Sequence, residues 1–570
     1  MAKKLKRKFV NQNLVINSYN DIKPYFDDLK IRQLTTQKTI WQWLLDRSEL
    51  ESILSEELAW RYIKMNCNTA DKGLAEHFNV FITEIESEIS RISNILNKKI
   101  FADEVMSKVD RSKLFTIIRE LKKDIELFRE ENVPIEAELQ QMEQEYGVIT
   151  SKMLINYNNE DITLQKASNY LKENDRNIRK EVFLLINERR LHDSEKIDTL
   201  IAGLIKLRHK IAINAGYDNY RDYKFKSMGR FDYGVDDCKQ FHTAIAEAVK
   251  PLIDELHIER KNKLGLNTLK PWDLDVDEDN LPPLKPFNNA DELIKKAILI
   301  FRDLELEFGM FLNEMKSLGY LDLESRKNKA PGGFNYPLHE SNVPYIFMNA
   351  TGNLRDVVTM LHEGGHAMHA YLCADLELVD FKEPPAEIAE LASMSMELIT
   401  MDYWHYFFDN DEDLKRAKRI HLEDVLTVLP WVATIDKFQH FLYENPNHTD
   451  EERTAAWLQI SKEFGSSVID YTGLEKFKEN QWQKQLHIFE VPFYYIEYAI
   501  AQLGAIAVWR NFKEDKKQAI GNFKKALKMG YTAPIPHVYK QAGIEFNFSK
   551  KYIQELMDFV KSELDKLNLT

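Results

Sequence analysis

Residues 353–372 read Asn353-Leu354-Arg355-Asp356-Val357-Val358-Thr359-Met360-Leu361-His362-Glu363-Gly364-Gly365-His366-Ala367-Met368-His369-Ala370-Tyr371-Leu372. The stretch specifies a helix. Asn353 is a capping residue with Asp356 three positions on, and apolar side chains follow at helical spacing. Inside it, residues 362–366 read H-E-x-x-H. A helix turns about 100° per residue, so positions four apart lie one turn up on the same face. Two imidazoles so placed share one zinc ion, and the Glu363 beside the first reaches a metal-bound water as general base.

Gly364 and Gly365 are unfavourable inside a helix, each costing about 1 kcal/mol against Ala. Such a conflict marks a place where another backbone comes close. A substrate strand is the expected visitor; tight helix packing is the alternative. His369 shares the face of His362 and His366 but lies about 10.5 Å along the axis from His362. The metzincin pattern needs Gly at 369 and His at 372, where this chain has His369 and Leu372. His369 therefore reads as a core or supporting histidine.

A third ligand is expected from a neighbouring helix. Pro384-Pro385 opens one that runs Ala386-Glu387-Ile388-Ala389-Glu390-Leu391-Ala392-Ser393-Met394-Ser395-Met396-Glu397. Glu390 and Glu397, seven apart, share a face among Ala, Leu, Ile and Met. Buried carboxylates need partners; a zinc ion and a ligating imidazole N–H satisfy both. Glu387 is the other candidate by distance.

Around this core the pattern is helical. Thr36–Met65, Ala70–Ile100, Arg111–Glu130, Pro134–Met153, Asp175 to about Ala215, and Asn289–Leu318 show 3.6-residue periodicity. A short strand pair is expected over Met153–Thr163, turning at Asn158-Asn159. Residues 265–288, with four prolines, read as loop. Ala330–Tyr336 and Val343–Asn349 read as a hairpin just before the motif.

The 570 residues are 44% hydrophobic and carry a net charge of −14, enough for a large core and the wrong sign for nucleic acid. No run of about 20 apolar residues exists, so no membrane span is expected. The basic start, Met1-Ala2-Lys3-Lys4-Leu5-Lys6-Arg7-Lys8, lacks a following apolar region; a frayed, solvated end is expected. Cys67, Cys238 and Cys373 are scattered, show no disulfide or cysteine–metal spacing, and suit a reducing cytoplasm.

The motifs resemble those of oligoendopeptidase F-type zinc metallopeptidases, related to thimet oligopeptidase. The family's H-E-x-G-H is matched by His362, Glu363, Gly365 and His366, and its E-x-x-S-x-x-x-E by Glu390, Ser393 and Glu397. The resemblance implies one zinc per chain on His362, His366 and Glu390, with Glu397 supporting a ligand. It also covers the segment His487–Tyr498, in which His487 and Tyr498 would stabilise the oxyanion and Tyr495 would contact substrate. The stretch between His487 and Tyr495 differs from the thimet-type version by about one residue. Gly332, Gly333 and Phe334 are similar to the family's substrate-edge strand.

The implied fold is mainly α, zincin-type, with a small sheet beside the zinc helix and a deep channel. An N-terminal helical lobe over 1–190 and a catalytic domain over 191–570 are expected. The implied activity is hydrolysis of internal bonds in short unfolded oligopeptides, through water activated by zinc and Glu363. A related metallocarboxypeptidase and an inactive helical peptide-binding scaffold are the competing readings. The sequence leaves open whether the chain is a monomer or a homo-oligomer.

Overall fold

The computed structural model describes residues 4–568. Helices dominate, with two small sheets. The chain divides into two compact units, each assembled from three separated segments.

The first unit comprises Met1–Glu126, Leu284–Lys418 and Ala501–Phe546. Its sheet has three strands: β3 (Leu321–Glu324), β4 (Phe334–Tyr336) and β5 (Tyr345–Ala350), in the order β3-β5-β4. The expected hairpin is present as β4 antiparallel to β5, with Phe334 facing Phe347 and Tyr336 facing Tyr345. Strand β3 was not expected; it is short and pairs in parallel with β5.

The motif helix spans Leu354–Cys373. Asn353 caps it by accepting from the Asp356 N–H, and the Asp356 carboxylate accepts N–H groups of Thr351, Gly352 and Asn353 at 2.7–3.1 Å. The neighbouring helix spans Ala386–Ile399 behind Pro385. Both glycines are accounted for by packing rather than by a visiting strand. A Cβ on Gly365 would lie 2.6 Å from Ser393 Cα and 2.8 Å from the Ala392 carbonyl oxygen. A Cβ on Gly364 would lie 2.5 Å from the Phe301 ring.

Three further expectations change. Ala70–Ile100 is not one helix: a π-helical stretch, Phe81–Glu86, separates Lys72–Val80 from Ser87–Ile100. Asn289–Leu318 breaks at Glu305, whose backbone is extended (φ −156°, ψ 120°). Gly309 permits that bend, since a Cβ there would meet Arg302 at 2.5 Å. The basic start is not frayed from Leu5 onward; Met1–Lys3 lie outside the described residues. Arg7 forks onto Glu340 at 2.8 and 2.9 Å, and the N–H groups of Lys8, Phe9 and Val10 converge on the Glu49 carboxylate at 2.8–2.9 Å.

The second unit comprises Leu127–Pro283, Arg419–Ile500 and Asn547–Thr570. Its hairpin, β1 (Leu154–Tyr157) and β2 (Glu160–Thr163), turns where expected. Asn158 and Asn159 are both left-handed, φ 53° and 62°, the backbone a tight two-residue turn requires. Paired Ile155 and Ile162 are buried with Val182 and Ile186. The proline-rich loop is pinned by the buried carboxylate of Asp273, which pairs with Arg176 at 2.8 Å and Arg179 at 3.0 Å.

The Gly365 contact yields a stability prediction. Gly365→Ala gains helix propensity yet forces backbone against backbone. Overpacking of this kind costs typically about 1–3 kcal/mol. The urea midpoint should fall with an unchanged m-value; a midpoint at or above that of the unaltered chain would show that the two helices separate freely.

Candidate active site

His362 and His366 lie one turn apart on the motif helix, with rings 4.9 Å apart and nearly perpendicular. Glu390, from the neighbouring helix, brings Oε2 to 3.3 Å from His362 Nε2 and 3.6 Å from His366 Nε2. One ligand atom from each lies within 4.8 Å of the other two. Tetrahedral zinc with metal–ligand bonds of about 2.0–2.1 Å separates its ligands by about 3.3 Å. The two nitrogens and one oxygen therefore fit zinc in type and in spacing.

Supporting contacts set the rotamers. Glu397 Oε1 lies 2.6 Å from His362 Nδ1, which turns Nε2 toward Glu390. Ser393 Oγ donates to Glu390 Oε2 at 2.9 Å. Glu387 is buried on the same helix but outside this donor group. His369 is buried, its Nε2 has no hydrogen-bond partner, and burial pushes its pKa down to about 3. It is a neutral core histidine, as its spacing implies.

Charge is distributed unevenly. Burial pushes the Glu363 carboxyl up; His362 opposes this, Glu390 and Glu397 add to it, and the group ends at about 7. Burial also acts on Glu390, but His366, His362 and Ser393 overcome it and hold the carboxyl down at about 2. Burial disfavours a proton on His362, yet its bonds to Glu390 and Glu397 raise its pKa well above the ordinary value. His366, with less help, is lowered to about 4 by burial.

Strand β4 is tied to this centre. Asn335 Nδ2 donates to the Glu363 carbonyl oxygen at 3.2 Å, a contact that neither residue announces in the sequence. β4 is an edge strand, preceded by exposed Gly332 (φ +98°) and Gly333. Phe334 stacks on Phe347 with centroids 4.6 Å apart, so its ring is packed within the sheet face.

In the second unit, His487, Tyr494, Tyr495 and Tyr498 form an aromatic cluster. His487 lies 4.5 Å from the Tyr495 ring and 6.0 Å from Tyr498, edge-on. Tyr494 stacks parallel to His487 at 6.5 Å and meets Tyr498 at 5.3 Å. Gln485 Nε2 lies 2.7 Å from His487 Nδ1, and burial lowers His487 to about 4, so it is neutral at pH 7. Arg208, fully buried, holds the segment through the Ile488 carbonyl at 3.1 Å. Sequence reasoning missed Arg208, on the helix Ser194–Asn214, and Arg230, in the loop after the helix Tyr220–Ser227, which reach this segment from far away in sequence.

Residues 169–558 match the model of Peptidase family M3, and residues 9–128 match the Peptidase M3 N-terminal domain. An oligoendopeptidase F homologue of Borreliella burgdorferi is 25% identical, the alignment spanning 72% of this chain and 68% of that protein. Oligopeptidase PepF of Bacillus subtilis is 22% identical over 72% of this chain and 60% of its own length. The solved structure of PZ peptidase A with an inhibitor superposes with a TM-score of 0.89 at 24% identity, covering 98% of this chain and 99% of that one; it shares the mainly α, zincin-type fold. A family match over most of the chain, coinciding with the His362–Glu390 centre, means that the chain belongs to peptidase family M3, in its oligoendopeptidase F branch, a family of metalloendopeptidases.

Proposed function

We propose that the chain is a zinc-dependent oligoendopeptidase that cuts internal bonds of short, unfolded peptides. The observation that carries this is the convergence of His362, His366 and Glu390 at 3.3–3.6 Å beside a buried Glu363. Those three residues hold one zinc ion, and Glu397 orients His362. Bound there, zinc supplies Lewis acidity, polarising a carbonyl and acidifying water.

Glu363 then works as general base. Its carboxylate takes the proton of the attacking water and returns it to the departing amine. A carboxyl near neutrality suits both transfers. The exposed edge at Gly332, Gly333 and Phe334 receives the peptide backbone by strand addition. His487 and Tyr498 are assigned to the oxyanion and Tyr495 to substrate contact, on the family resemblance. The three cysteines form no disulfide, and among the described residues no helix is long and apolar enough to cross a membrane; a cytoplasmic location accords with both.

Three measurements test this. Glu363→Gln should keep its zinc and lose turnover by about 10²–10⁴-fold, the usual share of an acid–base group; kcat within tenfold of the unaltered enzyme would remove Glu363 from the role. Glu390→Ala should lose zinc affinity steeply while Glu387→Ala changes it little, read by competition with a chromogenic chelator; the reverse order would reassign the ligand. A peptide of about ten residues, blocked at both ends, should be cut internally, since the proposed chemistry uses no terminal charge. The same segment inside a stable fold should resist, because unfolding costs about 5–15 kcal/mol. Resistance of the blocked peptide would mean exopeptidase action.

A further inference from the structure

The second unit buries another set of donor atoms, independent of the H-E-x-x-H centre. Cys238 and His242 stand four apart on the helix Val235–Ala244. Asp436 and His440 stand four apart on the helix Asp411–Glu444. Each spacing puts its pair on one face, one turn apart. The two faces meet, with His242 Nε2 2.8 Å from Asp436 Oδ2. One ligand atom each from Cys238, Asp436 and His440 lies within 4.8 Å of the others. All four residues are buried, at 1%, 3%, 0% and 4% exposure for Cys238, His242, Asp436 and His440.

The polar accounting of this cluster does not close. Asp436 Oδ1 is buried with no hydrogen-bond partner, and so are both ring nitrogens of His440. Of these, His440 Nε2 has a 3.3 Å electrostatic contact with Asp436 Oδ2. Around the His440 ring, the edges of Phe225 and Phe493 pack at 5.8 and 5.4 Å and the His242 ring lies 5.7 Å away. Buried polar atoms are ordinarily satisfied, and each orphan here needs an explanation.

We propose that Cys238, Asp436 and His440 ligate a zinc ion, with His242 orienting the Asp436 carboxylate. Thiolate, carboxylate and imidazole are zinc's ordinary donors, and the sulfur disfavours calcium and magnesium. The ion would satisfy Asp436 Oδ1 and one ring nitrogen of His440. It also balances charge: one thiolate and one carboxylate neutralise a dication, and both imidazoles stay neutral. Binding displaces the Cys238 thiol proton to solvent. Ligating carboxylates are themselves hydrogen-bonded from outside, and His242 fills that place for Asp436. The ion pins one helix to the other.

Cobalt(II) tests this directly, because only a thiolate ligand gives a sulfur-to-cobalt charge-transfer band in the near ultraviolet. The motif centre offers only nitrogen and oxygen. The full-length chain is stripped of metal and reloaded with Co2+ in excess. The band should appear, persist in the His362→Ala/His366→Ala variant, and vanish in Cys238→Ser. Zinc analysis should give two ions in the unaltered chain and one in each variant. Circular dichroism checks that Cys238→Ser is folded, and the arm without substitution at 238 stands if it is not. Absence of the band from the metal-loaded unaltered chain would overturn the site. So would its survival in Cys238→Ser, which would trace it to Cys67 or Cys373.

Discussion

The backbone of Ser393 lies so close to the motif helix that position 365 has room only for hydrogen. This contact sets the geometry of the centre. The two helices run antiparallel past it, so residues before 365 on one meet residues after 393 on the other. His362 thereby reaches Glu397, and Glu390 reaches both His362 and His366. Ser393 takes part twice: its backbone makes the contact and its hydroxyl holds the Glu390 carboxylate. A wider spacing, with a side chain at 365, would pull the oxygen of Glu390 away from both imidazoles.

Electrostatics follows from that spacing. Two glutamates at one centre diverge, Glu390 down to about 2 and Glu363 up to about 7. Burial acts on both; the difference is that Glu390 has two imidazoles and a hydroxyl, while Glu363 has one imidazole opposed by two carboxylates. Titratable pairs driven apart in this way are what the proposed division between ligand and base requires. The pairing is also asymmetric in cost. Removing one member of a buried ionic set strands the rest without compensation, which destabilises more than replacing the whole set.

What could be read from the sequence was local. The Asn353 cap, the i,i+4 histidines, the Asn158-Asn159 turn and the β4–β5 hairpin each depend on residues within a few positions. The partner of the glycines could not be read, because it lies on another helix; a substrate strand and a packed helix demand the same residue. Strand β3 is too short to show periodicity. The break at Glu305 carries no proline, and its only signal is Gly309 four residues later. The ordered start depends on Glu49 and Glu340, the latter 333 positions from Arg7. The Cys238 cluster escaped because its spacing is Cys-x-x-x-His on one helix and Asp-x-x-x-His on another, 194 residues away between His242 and Asp436. Neither half is distinctive alone.

That cluster bears on the aromatic segment of the same unit. Phe493 is left-handed, φ +66°, a conformation that costs a bulky residue on the order of 1–3 kcal/mol and persists only where the surroundings over-determine it. Three groups do so. Gln439 Oε1 accepts the Phe493 N–H at 2.8 Å, Arg230 donates to its carbonyl oxygen, and its fully buried ring packs against His440. Gln439 and His440 belong to the helix that carries Asp436. The bend at Phe493 sits between His487 and Tyr498, whose rings meet at a right angle. An ion holding Asp436 and His440 in place would fix the imidazole against which the Phe493 ring packs, on the helix that also carries Gln439. A site with no reacting group of its own would thus act on the aromatic cluster by positioning alone, through one turn of helix.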